Sequence, residues 1–234
     1  MVSISATDDW RAYHVGGYVG LLELSGVENS QPSPRLNEGK REIEARLREG
    51  YKDFTRQDFL KLPVMAAYER YYRRFDKTYH VLLQLESIVL KGKSLPSVSP
   101  LVDANFMAEV ETLVLTAGHD TARLEGEIVI DVSREGERML QMNGTDKAIL
   151  AGDMLMRDAR GICCSILYGQ DNRSPIKVET KSVLYVTYAP AGVGAAAVEA
   201  QLQLIEANVR LFCPRARVEQ VRLLGESTHI MDSV

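Results

Sequence analysis

An α+β fold with a β-rich middle is what this 234-residue sequence predicts. Apolar stripes at helical spacing occupy much of the first hundred residues. From 118 to 190 the pattern changes to short apolar segments punctuated by Gly, Asp and Asn turns, and a long amphipathic stretch follows. Helices on both sides of a strand-rich middle favour one cooperative domain over residues 1–234. Within it the expected parts are a helical lead-in over about 1–100, a β-rich core over about 101–190, and a C-terminal helix and strand over 191–234.

Taken in order, "HVGGYVGLLELSGVE" (14–28) is rich in Val, Leu and Gly and reads as one or two strands. "NSQPSPRLNEG" (29–39) reads as a loop from its Pro, Ser and Asn content. "KREIEARLREG" sets Ile43 and Leu47 four apart among charges and stops at Gly50, the mark of an amphipathic helix. Pro63 opens the next helix, because a first-turn residue needs no N–H. Val64, Ala67, Tyr68 and Tyr71 then recur at i, i+3, i+4 and i+7. A third helix runs through "TYHVLLQLESIVLKG", with Leu82, Leu85, Ile88 and Val89 inward, His80 at the surface near its start and Gly92 as its stop. "LVDANFMAEVETLVL" (101–115) reads as a helix with a strand-like exit. "EIVIDVS", "RMLQMNG", "DMLMRDARG", "ICCSILYG" and "SVLYVTYAP" supply the strands. "GAAAVEAQLQLIEANVRLF" is a long helix with Val198, Leu202, Ile205, Val209 and Phe212 on one side, and "RVEQVRLLG" is a last β-like piece.

Composition narrows the function classes. The formal charge of −4 gives no global attraction to a polyanion, so nucleic acid would bind through a local basic patch. No apolar run approaches the roughly 20 residues needed to span a bilayer, and "MVSISATDDWRAY" lacks a basic-then-apolar signal pattern. A cytoplasmic protein with no membrane partner is expected. The adjacent Cys163 and Cys164 lie in a strand-like segment and should point to opposite faces, which suits neither a chelate nor a mutual disulfide; with Cys213 they read as buried thiols. A metal site built from His119, Asp120 and Asp103 or Asp158 has no His-x-x-x-His or Cys pair behind it, so no metal and no cofactor are expected. P-loop, GxSxG and dinucleotide fingerprints are absent as well.

Several groups of residues could carry chemistry. His119–Asp120 in "LTAGHDTARLEGEIVIDV" is either part of a site or a polar turn in which Asp120 caps and Gly118 takes an unusual backbone angle. "YGQDNRS" (168–174) offers Gly169, Asp171 and Asn172 as a backbone anion nest, or as a plain turn with Asp171 and Arg173 as an ordinary surface pair. In "VDAN", Asn105 is the better site candidate, since one amide can read a carbonyl and an amine, whereas Asp103 faces elsewhere on the helix. Glu179 and Thr180 read as capping or lining the turn into the last core strand. Finally Arg70, Arg73, Arg74 and Lys77, with Tyr72 among them, form a cationic helix end that fits the helix dipole and also fits phosphates.

The ordered segments "LVDANF", "GHDTARLEGEIVID", "GERMLQMNG", "AGDMLMRD" and "YGQDNRSPIKVETKSVLY" resemble the B3/B4 region of the phenylalanyl-tRNA synthetase β subunit. With the lead-in from "LPVMAAYERYYRRFDKTYH" the resemblance to standalone B3/B4 proteins covers roughly residues 60–190. It implies a layered, β-rich core with flanking helices and a pocket for the aminoacylated 3′ end of tRNA, with no DNA partner. In the synthetase this region edits tRNA by removing misattached tyrosine, because an apolar pocket discriminates poorly against one extra hydroxyl. The resemblance places Ala117 where the editing histidine stands and Val186 where "ILLE" ends in glutamate. Gly169 matches the second glycine of the family's "GG" turn, and Tyr168 replaces the first. His119, two residues on, could substitute from the same strand face as a catalytic residue. Two readings stay open. In the first, the chain is a tRNA-binding domain to which hydrolysis of mischarged aminoacyl-tRNA in trans is open. His119, Asn105, Asp120, Gly169, Asp171 and Asn172 then line the pocket, and the Arg70–Lys77 cations meet phosphates. In the second, a non-catalytic module binds a small molecule such as an amino acid or nucleoside, or serves as an interaction module.

Overall fold

The computed structural model describes residues 1–225 and the short strand His229–Ile230. Chain order begins with β1 (Ile4–Ala6), α1 (Asp8–Tyr13) and β2 (Tyr18–Ser25), followed by α2 (Pro34–Gly50), α3 (Arg56–Phe59), α4 (Pro63–Arg73), α5 (His80–Val89) and α6 (Pro100–Thr112). The strand-rich stretch contains β3 (Thr116–Asp120), β4 (Ile128–Val132), β5 (Arg138–Leu140), β6 (Asp146–Ala148), β7 (Met154–Asp158), β8 (Gly161–Ser165), β9 (Gly169–Gln170) and β10 (Ser182–Ala189). After it come α7 (Ala195–Arg210), β11 (Arg217–Leu224) and β12 (His229–Ile230). The α+β class and the layered core with flanking helices are as the sequence implies.

One five-stranded sheet runs β12-β11-β2-β10-β3, all antiparallel; a second runs β1-β4-β7-β8-β9, with β1 parallel to β4, and β5–β6 form a separate hairpin. The first hundred residues are therefore not only a helical lead-in. Their strand β2 lies between β10 and β11, near the middle of the first sheet, and all but its two end residues are buried. α6 and α7 pack together against this sheet.

Local chemistry explains the helix limits. α2 starts at Pro34, inside the expected loop, because Ser33 caps it by accepting from the Leu36 N–H and proline at N1 needs no donor. α4 opens at Pro63 as expected and carries three tyrosines that tie the two sheets together. Tyr68 Oη donates to Tyr188 O in β10 and accepts from Leu115 N, while Tyr72 Oη donates to Ile166 O beyond β8. Tyr71 Oη donates to the buried Asp153 carboxylate ahead of β7. Each phenol is buried with its polar end satisfied, which is what makes a large aromatic tolerable there. Cys163 and Cys164 do point to opposite sides: Cys163 faces Arg173 and Cys164 faces Tyr188, and both are buried.

Candidate functional site

A cavity of about 390 Å³ opens where α6, β3 and the β8–β9 turn meet. Leu113 positions it: with φ near +64°, this residue ends α6 in a left-handed turn, so that β3 folds back along the helix. The Asn105 side chain on α6 then reaches the new strand, its Nδ2 donating to Thr116 O at 3.0 Å. The walls are mainly apolar, with Phe106, Leu115, Ala117, Ile166 and Ile176 prominent and exposed Val98 and Met142 at the mouth. Gly118 is part of the wall, where a Cβ would stand 2.6 Å from Ile176 Cδ1, so any side chain there would intrude. Polar groups are few. Gln170 donates to Gly118 O, Asn105 shows its amide, and the buried Tyr188 hydroxyl has no hydrogen-bond partner. Glu109, one turn beyond Asn105, is buried and accepts from Thr116 N; desolvation pushes its pKa up to about 8.

Of the expected pocket residues, Asn105 and Gly169 line this cavity. His119 does not. It projects from the same face of β3 as Ala117, as strand alternation requires, but the Pro175 backbone bridges across it and no part of it is exposed. Its Nδ1 lies 2.8 Å from Ser174 Oγ, and that hydroxyl donates to Asp171 Oδ1 at 2.6 Å. The cavity-wall Gln170 Nε2 lies 3.4 Å from the same Nδ1, and Nε2 of the ring has no partner. Desolvation lowers the imidazole pKa to about 3, with nearby Arg173 adding to the shift and Asp158 opposing it. This His–Ser–Asp chain resembles a triad in composition only: the serine is the middle member and its proton points away from the histidine.

Asp120 is the cap that the turn reading describes, accepting from Ala122 N and from Thr180 Oγ1, but Gly118 takes no unusual backbone angle: it and His119 lie in strand β3, not in a turn. The anion nest does not form, because its amides are already used. Asp171 N donates to Cys163 O, Asn172 N donates to Leu140 O, and Gly169 pairs with Ser165 in β9. Asn172 is exposed. Nor is Asp171–Arg173 a surface pair: half-buried Arg173 bridges the buried carboxylates of Asp171 and Asp158. Ala117 and Val186 turn out to be register partners across β3 and β10, so both apolar replacements lie on one patch of sheet.

The cationic cluster divides. Arg73 pairs with Glu69, and Arg70 and Arg74 line a separate depression beside Pro190 and Ala191. Lys77 stands apart from both, its ammonium 6.0 Å from the Tyr168 ring centre, and Lys147 of β6 lies over the same ring at 5.0 Å. Tyr168 adjoins Gly169 of the cavity wall. Lys147, Met142 and His80 carried no signal in the sequence beyond that of ordinary surface or core residues, and Tyr168 only that of standing where the family's turn has its first glycine. His80 nevertheless lines the cavity mouth; the protein around its ring lowers its pKa, and Tyr72 Oη lies 3.5 Å from its Nδ1. Burial holds the wall thiol of Cys164 far above the ordinary range, so it is no nucleophile at neutral pH. Among the described residues no three His, Cys, Asp or Glu side chains are arranged to hold a metal ion, and no helix is long and apolar enough to cross a membrane.

The architecture places the chain in a class first. Over 99% of its length it matches an N-terminal fragment of the phenylalanyl-tRNA synthetase β subunit from Pyrococcus horikoshii, with a TM-score of 0.52 and 8% identity. At that identity the likeness shows fold alone, and the chain spans only 55% of the fragment. Among curated proteins none matches it. The family is shown by a model of the B3/4 domain that matches residues 64–208. The chain belongs to the B3/4 domain family.

Proposed function

We propose that this protein binds the aminoacylated 3′ end of tRNA, seating an apolar or aromatic amino-acid side chain in the cavity beside β3. The observation that carries the reading is the wall around Ala117. A cavity of about 390 Å³ with almost no polar lining penalises a charged side chain, which would be desolvated without a partner, and accepts an apolar one. The Asn105 amide is placed to meet the ester carbonyl or the amine, and the Gln170 amide on the same wall supplies a second polar point. Lys77 and Lys147, either side of Tyr168, have no carboxylate within ion-pair distance among the described residues and are available to backbone phosphates at the mouth.

A second reading, ester hydrolysis, is favoured by one observation: His80, not His119, is the imidazole that faces the cavity. Desolvation of its ring lowers its pKa and so favours the neutral form that a general base needs. Equilibrium binding of a non-hydrolysable aminoacyl-tRNA, uncharged tRNA and the free amino acid separates the alternatives. Tightest binding of the aminoacylated form supports the proposal. Salt-independent binding of the free amino acid, with none to either RNA, overturns it in favour of a small-molecule module. A parallel assay of ester release in wild type, His80→Ala and His119→Ala tests hydrolysis, which is expected to fall only in the first variant if it occurs.

A further inference from the structure

Away from the aminoacyl cavity, at the far end of β10, a depression of about 240 Å³ is bordered by α1, α4 and the Pro190–Gly192 turn. Arg70 and Arg74 line it from α4, four residues apart. Like charges at that spacing repel each other in a helix. The intervening Arg73 relieves its own charge on Glu69, but among the described residues neither Arg70 nor Arg74 has a carboxylate within ion-pair distance. Arg74 is instead held in place by aromatic faces, with its guanidinium carbon 5.6 Å from the centre of Tyr13 and 5.2 Å from that of Tyr71. Stacking of that kind leaves the in-plane N–H donors free for a ligand. Arg70 lies so close over Gly192 that a Cβ there would stand 2.5 Å from its Nη2, and Gly192 adopts φ near +100°. The turn is thus as thin as a backbone allows where the guanidinium crosses it.

The third member is His14, which stands between this depression and a neighbouring one beside Trp10 and lines both. Its side chain is more than nine-tenths buried, yet its Nε2 has no hydrogen-bond partner. Buried polar atoms are nearly always paired, by protein, water or ligand, so an orphan beside two unpaired guanidiniums points to an anionic guest. Desolvation, and after it the Arg74 charge, lowers the His14 pKa to about 4. Exposed Tyr13 and Val15 at the rim give the remainder of such a guest an apolar surface to lie on.

We propose that this depression is a second ligand site, which takes a phosphate group on an ester between the Arg70 and Arg74 guanidiniums, with His14 Nε2 as the third contact. A tetrahedral oxyanion presents its acceptors in several directions and so suits donors that converge from two elements out of one plane. An RNA backbone and a small phosphoester both carry such a group, and the site is independent of whether the aminoacyl cavity binds tRNA.

The test is a titration of the full chain followed through the His14 imidazole ¹⁵N resonances, with inorganic phosphate in one arm and a short single-stranded RNA in the other. Phosphate is expected to move the His14 Nε2 resonance, and Arg70→Gln to weaken that response about tenfold, the loss of one charge-assisted hydrogen bond. Arg73→Gln, which lies outside the depression, is expected to leave it within about twofold. Because Arg74 is stacked in place, Arg74→Gln is accompanied by a melting curve, and Arg70→Gln carries the conclusion if Arg74→Gln unfolds. A response to both probes assigns the phosphate to RNA; a response to phosphate alone assigns it to a small phosphoester. No His14 response to phosphate, or an equal response in Arg70→Gln, overturns the site.

Discussion

Ala117 and His119 leave β3 on the same face, two residues apart, and meet opposite surroundings. Ala117 borders open space walled by apolar side chains. His119 is sealed, with its ring tied through Ser174 to Asp171 and through Asp171 to Arg173 and Asp158. The polar constellation in this protein is structural, and the place where a ligand fits is conspicuous for its lack of polarity. What separates them is their neighbours: the Pro175 main chain pairs with that of His119, whose ring lies against Ser174, while Ala117 faces the cavity that Pro175 and Ile176 also line.

The sharpest way to break this contrast is to remove the carboxylate at the centre of the sealed network. Asp171→Ala leaves the Ser174 hydroxyl and backbone amide without their acceptor and half-strips a bridging guanidinium. Breaking a buried charged pair from one side costs about 3–5 kcal/mol. Urea denaturation should show a loss of that order; a loss below about 1 kcal/mol would return the network to the surface-pair class.

Glu109, buried behind the cavity on α6, gives the next effect. Its pKa rises from an ordinary 4.5 to about 8, so the folded state holds a proton that the unfolded state gives up, and stability is lost as pH rises through that window. Asp153, raised to about 7, acts in the same direction. His14 and His119, lowered to about 4 and about 3, act oppositely: their contribution is present above 6.5 and lost as pH falls. Below about pH 6.5 the two sets oppose one another, and between 6.5 and 8 the acids act alone. Wild-type stability should therefore decline over that window, by up to about 1.4 kcal/mol per pH unit for each proton. Glu109→Gln should remove most of the decline between pH 7 and 8 in melting curves; an unchanged slope refutes the assignment.

Much of the fold was legible because periodicity and turn chemistry speak locally. Pro63 opens α4, Gly50 closes α2, and the apolar stripe on α7 faces the core as its spacing requires. β1 and α3, three and four residues long, are too short to show a period. The start of α2 was hidden by Pro34, which reads as a loop former unless Ser33 is recognised as its cap. The site was less legible. Asn105 and Gly169 were within reach because a polar amide on an apolar helix and a positive-φ glycine are local signals. Phe106, Ile166, Ile176 and Tyr188 were not, since an apolar side chain facing a cavity and one facing the core have the same pattern in sequence. His14 and Arg70 are 56 residues apart, and nothing local joins them.

Filling the open side of the contrast should affect ligand and not fold. Ala117→Leu pushes a branched side chain into space that is empty rather than packed, so the overpacking cost of about 1–3 kcal/mol that such changes carry in a filled core should largely be avoided. Binding of the aminoacylated end should weaken about tenfold or more, as expected when about 1.4 kcal/mol of contact is lost. A variant that binds as wild type places the amino-acid side chain elsewhere. Gly118→Ala, by contrast, meets Ile176 and the Tyr185 ring at 2.6–3.0 Å and should cost both stability and binding.

The smallest effect concerns charge at the cavity mouth. Lys77 and Lys147 both lie over Tyr168, where each can release about one counterion from a backbone phosphate. For single-stranded nucleic acid the logarithm of affinity falls against the logarithm of salt with a slope near 0.7 per phosphate contact. Lys147→Gln should therefore lower that slope by about 0.7, and Lys77→Gln, whose ammonium is farther from the ring, by no more. Arg73→Gln supplies the comparison, because its charge is already paired with Glu69. If Arg73→Gln changes the slope as much as Lys147→Gln does, the phosphates run along α4 and not across the mouth.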